Sequence, residues 1–388
     1  MLTTEGCLER RKHFWSRIPD GVDWVLIGDA RHVQYFSNFR INPISFSADQ
    51  RCLLLLQRSG TATLLTDNFV RRTADADPVV DNEIVISWYT HKKSVVNRDH
   101  ALLSALEECR ERWSHDNGLV EAEGVTQAVA AIVAEAALPL PVGDSNQSFS
   151  SVGTLIRDLR RQKLPDEIEL LKRCMAAGDA GHAAAFNVAK PGVTELEVYI
   201  AIQRAVELAA GCACAVYGDF RATNAELYKA GGLPTKYVLR DGDLFIADFS
   251  VIIHGYRSDF TNTIAVGHPT HQQVRQFETC RDALLAAESA VKAGVRASDV
   301  YDSASAVLLD RGYPALAHHC GHGLGLEHPE TPILVPESDD VLRNGDIITI
   351  EPGLYVEGVG GMRFEHNYAV TTTGADRLSN HRISLTKS

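Results

Sequence analysis

The chain of 388 residues reads as an α+β protein in two parts, a small α/β domain over residues 1–155 and a larger domain over residues 156–388. Three observations lead to that reading. The length exceeds one ordinary domain and suits two. Short apolar runs alternate with helical stretches in the first part, whereas longer helices begin near Gly153. The last third returns to strands, several of which end on acidic side chains.

In the first domain, residues 25–28 (Val-Leu-Ile-Gly) and 52–56 (Cys-Leu-Leu-Leu-Leu) are apolar runs of strand length, and residues 62–66 follow a Ser-Gly turn. Residues 94–113 carry Leu102, Leu103 and Leu106 at helical spacing. Leu119-Val120 and the alanine-rich residues 125–137 continue the alternation until Pro139 and Pro141 break it. No cluster of reactive side chains stands out there. In the second domain, residues 155–189 place Ile168, Leu171 and Met175 on one helical face, with Pro165 near a helix start and Pro191-Gly192 at the end. Thr194 and Glu197 form a capping box that opens a helix through Val198, Ile202 and Val206. Residues 244–248 read as a strand, His254-Gly255 as a turn, and residues 256–266 as the returning strand. Helices are predicted over residues 274–292, stopped by Gly294, and over residues 300–309. Residues 346–351 and 362–370 are strands.

Composition narrows the function. Hydrophobic residues make up 45% of the chain and charged residues 23%, enough to build sizeable cores. Lys and Arg number 38 against 50 Asp and Glu, a net charge of −12. An acidic surface attracts neither nucleic acid nor an anionic membrane, so neither is expected as a partner. No apolar run approaches the ~20 residues of a membrane span, and the N-terminus shows no signal-peptide pattern. The eight cysteines include no CxxC, which argues for reduced thiols in a cytoplasmic protein. The close pair Cys212 and Cys214 is expected to pack apolar surface.

Five potential metal ligands punctuate the second half. Asp248 ends a strand, and Asp259 follows eleven residues later across a hairpin that can bring both to one end of a sheet. His322 sits in Gly321-His322-Gly323-Leu324-Gly325, read as a glycine-rich loop. Glu351 ends a strand before Pro352-Gly353, and Glu365 lies in Met362-Arg363-Phe364-Glu365-His366. Singly, each has an ordinary alternative: a turn-capping Asp, a loop histidine, a solvated edge. Together, four carboxylates and an imidazole form a hard, oxygen-rich set suited to Mn²⁺, and also to Co²⁺, Zn²⁺ or Fe²⁺. Converging acids raise one another's pKa, and two divalent cations would cancel that repulsion.

These motifs resemble the catalytic domain of the pita-bread metallohydrolases, the family of methionine aminopeptidase, aminopeptidase P, prolidase and creatinase. The similarity runs from about Leu159 to Leu385. The first half is similar, more loosely, to the N-terminal domain of the creatinase, prolidase and aminopeptidase P branch, through Tyr35-Phe-Ser-Asn-Phe, Cys52-Leu-Leu-Leu-Leu and Leu64-Leu-Thr-Asp67. The resemblance implies a dinuclear centre in which Asp248 chelates one metal, Asp259 and Glu365 bridge both, and His322 and Glu351 complete the shell. It further implies a homodimer and hydrolysis by a metal-bridging hydroxide, with Glu351 shuttling the proton to the leaving nitrogen. Arg363 matches an arginine of the aminopeptidase P pattern, and His318 a histidine near the family's substrate site. His319 and His366 receive no role, and Cys320 is read as a small core residue.

The pattern is broken twice. A histidine expected seven residues after His322 is replaced by Pro329, with His328 one place early and a backbone shift away from substituting for it. A second, expected some seventeen residues before Asp248, falls where the chain reads Ala230-Gly231-Gly232. Three readings follow. The first is an Xaa-Pro dipeptidase or aminopeptidase, acting on a small peptide. The second is a creatinase-like hydrolase or lyase of a small non-peptide molecule. The third is a binding protein on the same scaffold.

Overall fold

A computed structural model describes residues 1–41, 52–73, 76–110, 117–133, 142–144, 147–149 and 151–387. The chain divides into two compact units, Met1–Arg160 and Arg161–Ser388. Pro139, Pro141 and the far ends of two helical readings, residues 111–113 and 134–137, lie outside the described residues.

The first unit runs α1 (Thr4–Trp15), β1 (Trp24–Ile27), α2 (Ala30–Ser37), β2 (Cys52–Gln57), β3 (Ala62–Asp67), α3 (Asn68–Thr73), β4 (Asn82–Ile86), α4 (Arg98–Cys109), β5 (Gly118–Val120) and α5 (Gln127–Val133). A short pair, β6 (Val142–Asp144) and β7 (Gln147–Phe149), and the helix α6 (Val152–Arg161) follow. Its sheet has the order β4-β3-β2-β1-β5, with β2 antiparallel to both neighbours and the two edge strands parallel to theirs. The leucines of β2 are buried on both faces, as a central strand requires. Leu53, Leu55, Leu102 and Leu106 share one core with Trp24. Gly118 is needed beside that tryptophan, because a Cβ there would fall 2.0 Å from the indole. Helix α1 shows no apolar stripe in sequence for a physical reason. Its buried face includes Arg10 and Arg11, which donate to the carbonyls of Tyr35 (2.6 Å) and Phe36 (2.9 Å).

The second unit repeats one plan, two helices against a sheet. In its first half, α7 (Pro165–Val188) and α8 (Glu195–Ala210) cover β8 (Ala215–Thr223), β9 (Leu244–Ile253), β10 (Tyr256–Arg257) and β11 (Phe260–Ala265). In its second, α9 (His271–Ala290) and α10 (Ala297–Asp310) cover a sheet of order β13-β12-β14-β17-β18. Those strands are β12 (Gly321–Gly323), β13 (Glu330–Leu334), β14 (Ile347–Ile350), β17 (His366–Val370) and β18 (Ala375–Arg377). A separate hairpin joins β15 (Gly353–Val356) to β16 (Gly360–Arg363).

Several boundaries differ from the sequence reading. The helical segment over residues 155–189 is two helices, the second opening at Pro165 as expected, with Leu164 extended before it. Thr194 and Glu197 do form the capping box, and Thr270 with Gln273 forms a second that the sequence reading passed over. The returning strand breaks at Ser258-Asp259, and the strand over residues 362–370 breaks at Phe364-Glu365. Cys212 is exposed and Cys214 half-buried, so the pair does not pack a core. Helix α7 lies close on the sheet because Gly178 faces Phe260, where a Cβ would sit 1.9 Å from the ring. Among the described residues, no helix is long and apolar enough to cross a membrane.

Candidate metal centre

Strand breaks place two of the converging acids of the second unit, Asp259 and Glu365. Asp248 lies in the middle of β9, not at its end, and its neighbours Ala247 and Phe249 point into the core. Asp259 occupies the gap between β10 and β11, where Asn367 fixes its backbone: the Asp259 N–H donates to Asn367 Oδ1 at 3.2 Å, and Asn367 Nδ2 donates to Asp259 O. Glu365 sits in the gap between β16 and β17, where Thr261 donates to one oxygen at 2.6 Å and Thr349 to the other. One carboxylate oxygen each from Asp248, Asp259 and Glu365 lies within 4.8 Å of the others.

His322 is on β12 and not in a loop, at a register shift between it and Gly323. Its Nδ1 lies 2.8 Å from Gly323 O, which places a proton on Nδ1 and turns Nε2 toward the acids. Nε2 is 3.4 Å from Asp259 Oδ2 and 3.5 Å from Glu351 Oε1. Glu351 follows β14, anchored by its N–H to Cys320 O at 2.8 Å. The close approach of β12 to β14 requires Gly321, since a Cβ there would fall 2.0 Å from Thr349 O.

A cavity of about 460 Å³ opens on this cluster, lined by Asp248, Asp259, His322, Glu351, Arg363 and His328 among others. His328 needs no backbone shift to reach it: its Nε2 is 2.6 Å from Asp259 Oδ2. Arg363 pairs with Asp248 and, at 3.2 Å, with Asp219. His318 is not among the lining residues. Its Nδ1 is held by His319 O at 2.7 Å, and its Nε2 faces the Tyr355 hydroxyl at 3.5 Å. His319 lines the cavity instead, with Nδ1 3.2 Å from Glu351 Oε1.

Sequence reasoning also missed Asp219, Ser250, Arg257 and Tyr217, all of which line the cavity. Asp219 stands opposite Asp248 in the β8–β9 register. Its Oδ1 accepts the Gly232 N–H at 2.6 Å, so the residues 230–232 bring backbone, and no imidazole, to this wall.

The electrostatics are those of acids packed too closely. Burial, then Glu365, Asp259 and Asp219, push the Glu351 carboxyl well above its ordinary value. Burial and Asp259 push Glu365 up to about 8 against the hydrogen bonds from Thr261 and Thr349. Asp259 goes the other way. Burial opposes its charge, but the hydrogen bonds and charges of His322 and His328 hold it well below the usual carboxylate range. Burial and the neighbouring His322 lower His319 to about 4. Glu351 Oε1 and His319 Nδ1 are both buried and, among the described residues, have no hydrogen-bond partner despite their closeness. Orphaned atoms of this kind, among oxygens within reach of one another, fit a divalent cation.

The sequence matches the model of metallopeptidase family M24 over residues 169–372 and that of the creatinase/prolidase N-terminal domain over residues 19–162. It is 30% identical to an Xaa-Pro dipeptidase of Pyrococcus furiosus over 234 residues, 60% of this chain and 67% of that protein. An Xaa-Pro dipeptidase from Bacillus anthracis shares the fold with a TM-score of 0.77 at 24% identity, covering 99% of both chains. An X-Pro aminopeptidase from Thermotoga maritima shares it equally, with a TM-score of 0.77 at 20% identity, covering 100% of this chain and 99% of that one. The fold is therefore the expected one, a creatinase-type N-terminal domain followed by a pita-bread catalytic domain. A metallopeptidase match spanning more than half the chain, over the residues that build this acidic cavity, carries one conclusion: the chain belongs to metallopeptidase family M24.

Proposed function

We propose that this chain is a dinuclear metal-dependent peptidase of the Xaa-Pro type, cleaving the amide bond before proline in short peptides. The observation that carries the reading is that Asp248, Asp259, His322 and Glu351 line one cavity, with Glu365 close to Asp248 and Asp259, in a chain of a metallopeptidase family. Two divalent ions, Mn²⁺ by the hardness of the ligand set, would supply Lewis acidity at the scissile carbonyl and an acidified water. Asp259 and Glu365 would hold both ions, Asp248 would hold one, and His322 and Glu351 would complete the set. Glu351, buried and flanked by His319 and His322, takes the proton of the attacking water and passes it to the departing nitrogen. Arg363 orients Asp248 and Asp219. His328, at the cavity wall, supplies an imidazole to the substrate side despite Pro329. A homodimer is expected from the resemblance to the family. The eight free thiols favour a reducing, cytoplasmic setting.

One feature favours the second reading, a small non-peptide substrate: Gly231 and Gly232 present Asp219 and backbone where an imidazole would hold a tetrahedral intermediate. A panel of Ala-Pro, Gly-Pro and Xaa-Pro-Xaa peptides separates the two. With Mn²⁺ or Co²⁺ loaded, hydrolysis of at least one proline peptide is expected. No hydrolysis at full metal occupancy would overturn the peptidase reading and leave the non-peptide one.

A further inference from the structure

A second cavity, of about 330 Å³, lies in the second unit and shares no lining residue with the metal cavity. One wall is α7, where Asp179, His182 and Phe186 stand at i, i+3 and i+7 and so share a helical face. The segment after β18 supplies His381, Arg382 and Lys387. His182 is 1% exposed and His381 5%, and their rings stack at 4.3 Å. Burial lowers the pKa of both, His381 to about 4, so both imidazoles are neutral at neutral pH.

The buried end of this cavity is short of donors. His381 Nε2 lies 3.3 Å from Thr261 O. A carbonyl only accepts, so in the neutral ring that nitrogen carries the proton and Nδ1 holds a lone pair. Among the described residues, neither His381 Nδ1 nor either nitrogen of His182 has a partner at hydrogen-bonding geometry. Asp179 Oδ1 stands 3.9 Å from His381 Nδ1. The Asp179 carboxylate accepts the Asn380 backbone N–H at 3.1 Å, and no Lys or Arg among the described residues pairs with it. Two acceptors so spaced are the complement of an ammonium, whose nitrogen at ~2.8 Å from each would subtend about 90°. A metal ion fits less well, because the two rings lie 20° from parallel and their in-plane lone pairs do not converge. The mouth has the opposite character. Arg382 and Lys387 are exposed there, and among the described residues the guanidinium is engaged through Nη1 alone, on Lys387 O at 3.0 Å.

We propose that this cavity is a second ligand site that takes up a free α-amino acid. Its ammonium meets Asp179 and His381 Nδ1, its carboxylate meets Arg382 and Lys387, and its side chain lies against Phe186. Acceptors at the buried end and cations at the mouth match the two charges of a zwitterion, and binding breaks no existing ion pair. The site backs onto the metal centre: Thr261, whose carbonyl accepts from His381, also donates its hydroxyl to Glu365 at 2.6 Å. An amino acid is what a peptidase releases, so under the proposed reading the site senses product. The binding itself does not rest on that reading.

The test is calorimetric titration of the full chain, with and without Mn²⁺, by L-leucine, N-acetyl-L-leucine and 3-methylbutylamine. The second ligand lacks the ammonium and the third the carboxylate. L-leucine is expected to bind once per chain in both metal states, and each analogue at least about 10-fold more weakly. Asp179→Asn should weaken L-leucine about 10- to 100-fold, the worth of a charge-assisted hydrogen bond. Arg382→Gln, at an exposed position, should narrow the gap between L-leucine and 3-methylbutylamine while leaving N-acetyl-L-leucine weak. No binding of L-leucine up to about 10 mM overturns the proposal. So does binding that appears only with Mn²⁺, which would put the amino acid on the metals. Equal binding of N-acetyl-L-leucine, or Asp179→Asn binding L-leucine like the wild type, overturns it as well. Should Asp179→Asn not fold, Arg382→Gln decides, and an unchanged ratio of L-leucine to amine affinity overturns it.

Discussion

Asp259→Asn is expected to lower kcat/KM by about 10³-fold or more, some 4 kcal/mol of transition-state stabilisation. Of the three candidate metal-binding triads among the described residues, Asp259 belongs to two, with Asp248 and Glu365 in one and His322 and His328 in the other. Asparagine keeps the shape and the backbone clamp to Asn367 but offers no second anionic oxygen to bridge two cations. The metal-free fold is not expected to suffer in proportion. Asp259 raises the pKa of both Glu351 and Glu365, so removing its charge relieves that repulsion while it gives up the pairing with two histidines. Activity and metal content are read together with thermal stability. A variant that keeps both metal and activity would contradict a bridging role.

Lys163→Met is expected to destabilise the second unit by about 3–5 kcal/mol. The Lys163 side chain is 2% exposed and that of Glu330 is 7% exposed, with Nζ and Oε2 2.8 Å apart. Removing the lysine takes the cationic partner at 2.8 Å from a buried carboxylate. Glu330 also accepts the Glu327 N–H at 3.1 Å and lies, with Lys163, against Gly325, so the pair pins the turn that carries His328. The loss is read as a fall in Tm, at roughly 2–4 °C per kcal/mol for a unit of this size. Lys163→Met combined with Glu330→Leu should recover most of it, because a matched apolar pair leaves no unpaired charge. A fall under 1 kcal/mol in the single variant would contradict the buried-pair account.

The site was legible in sequence to the extent that its chemistry was written in local punctuation. Glu351 before Pro-Gly and His322 among glycines are marked because backbone must bend or approach closely there, and Gly321 shows why. Strand-break positions were less legible. Asp259 and Glu365 were read within continuous strands, because a break is made by tertiary partners such as Asn367 and Thr349, which lie far away in sequence. Asp219 had a signal that was not used: Val216, Phe220 and Ala222 are buried, while Tyr217, Asp219 and Arg221 alternate outward between them. Arg257 had none, since a single arginine in a hairpin is normally a solvated one. The choice between His318 and His319 was also out of reach. Neighbouring residues on extended chain face opposite ways, and only the fold decides which meets the cavity.

The proposed dinuclear centre is tested most directly by calorimetric titration of metal-free protein with Mn²⁺ in buffers of different ionisation enthalpy. Two ions per chain are expected. Glu365, pushed up to about 8, keeps protons bound in the metal-free state at neutral pH, and burial and the neighbouring acids raise Glu351 in the same direction. Metal must displace them, so binding should release protons and weaken as the pH is lowered below 8. Binding of one ion or none, or two ions bound equally well by Asp259→Asn, would contradict it.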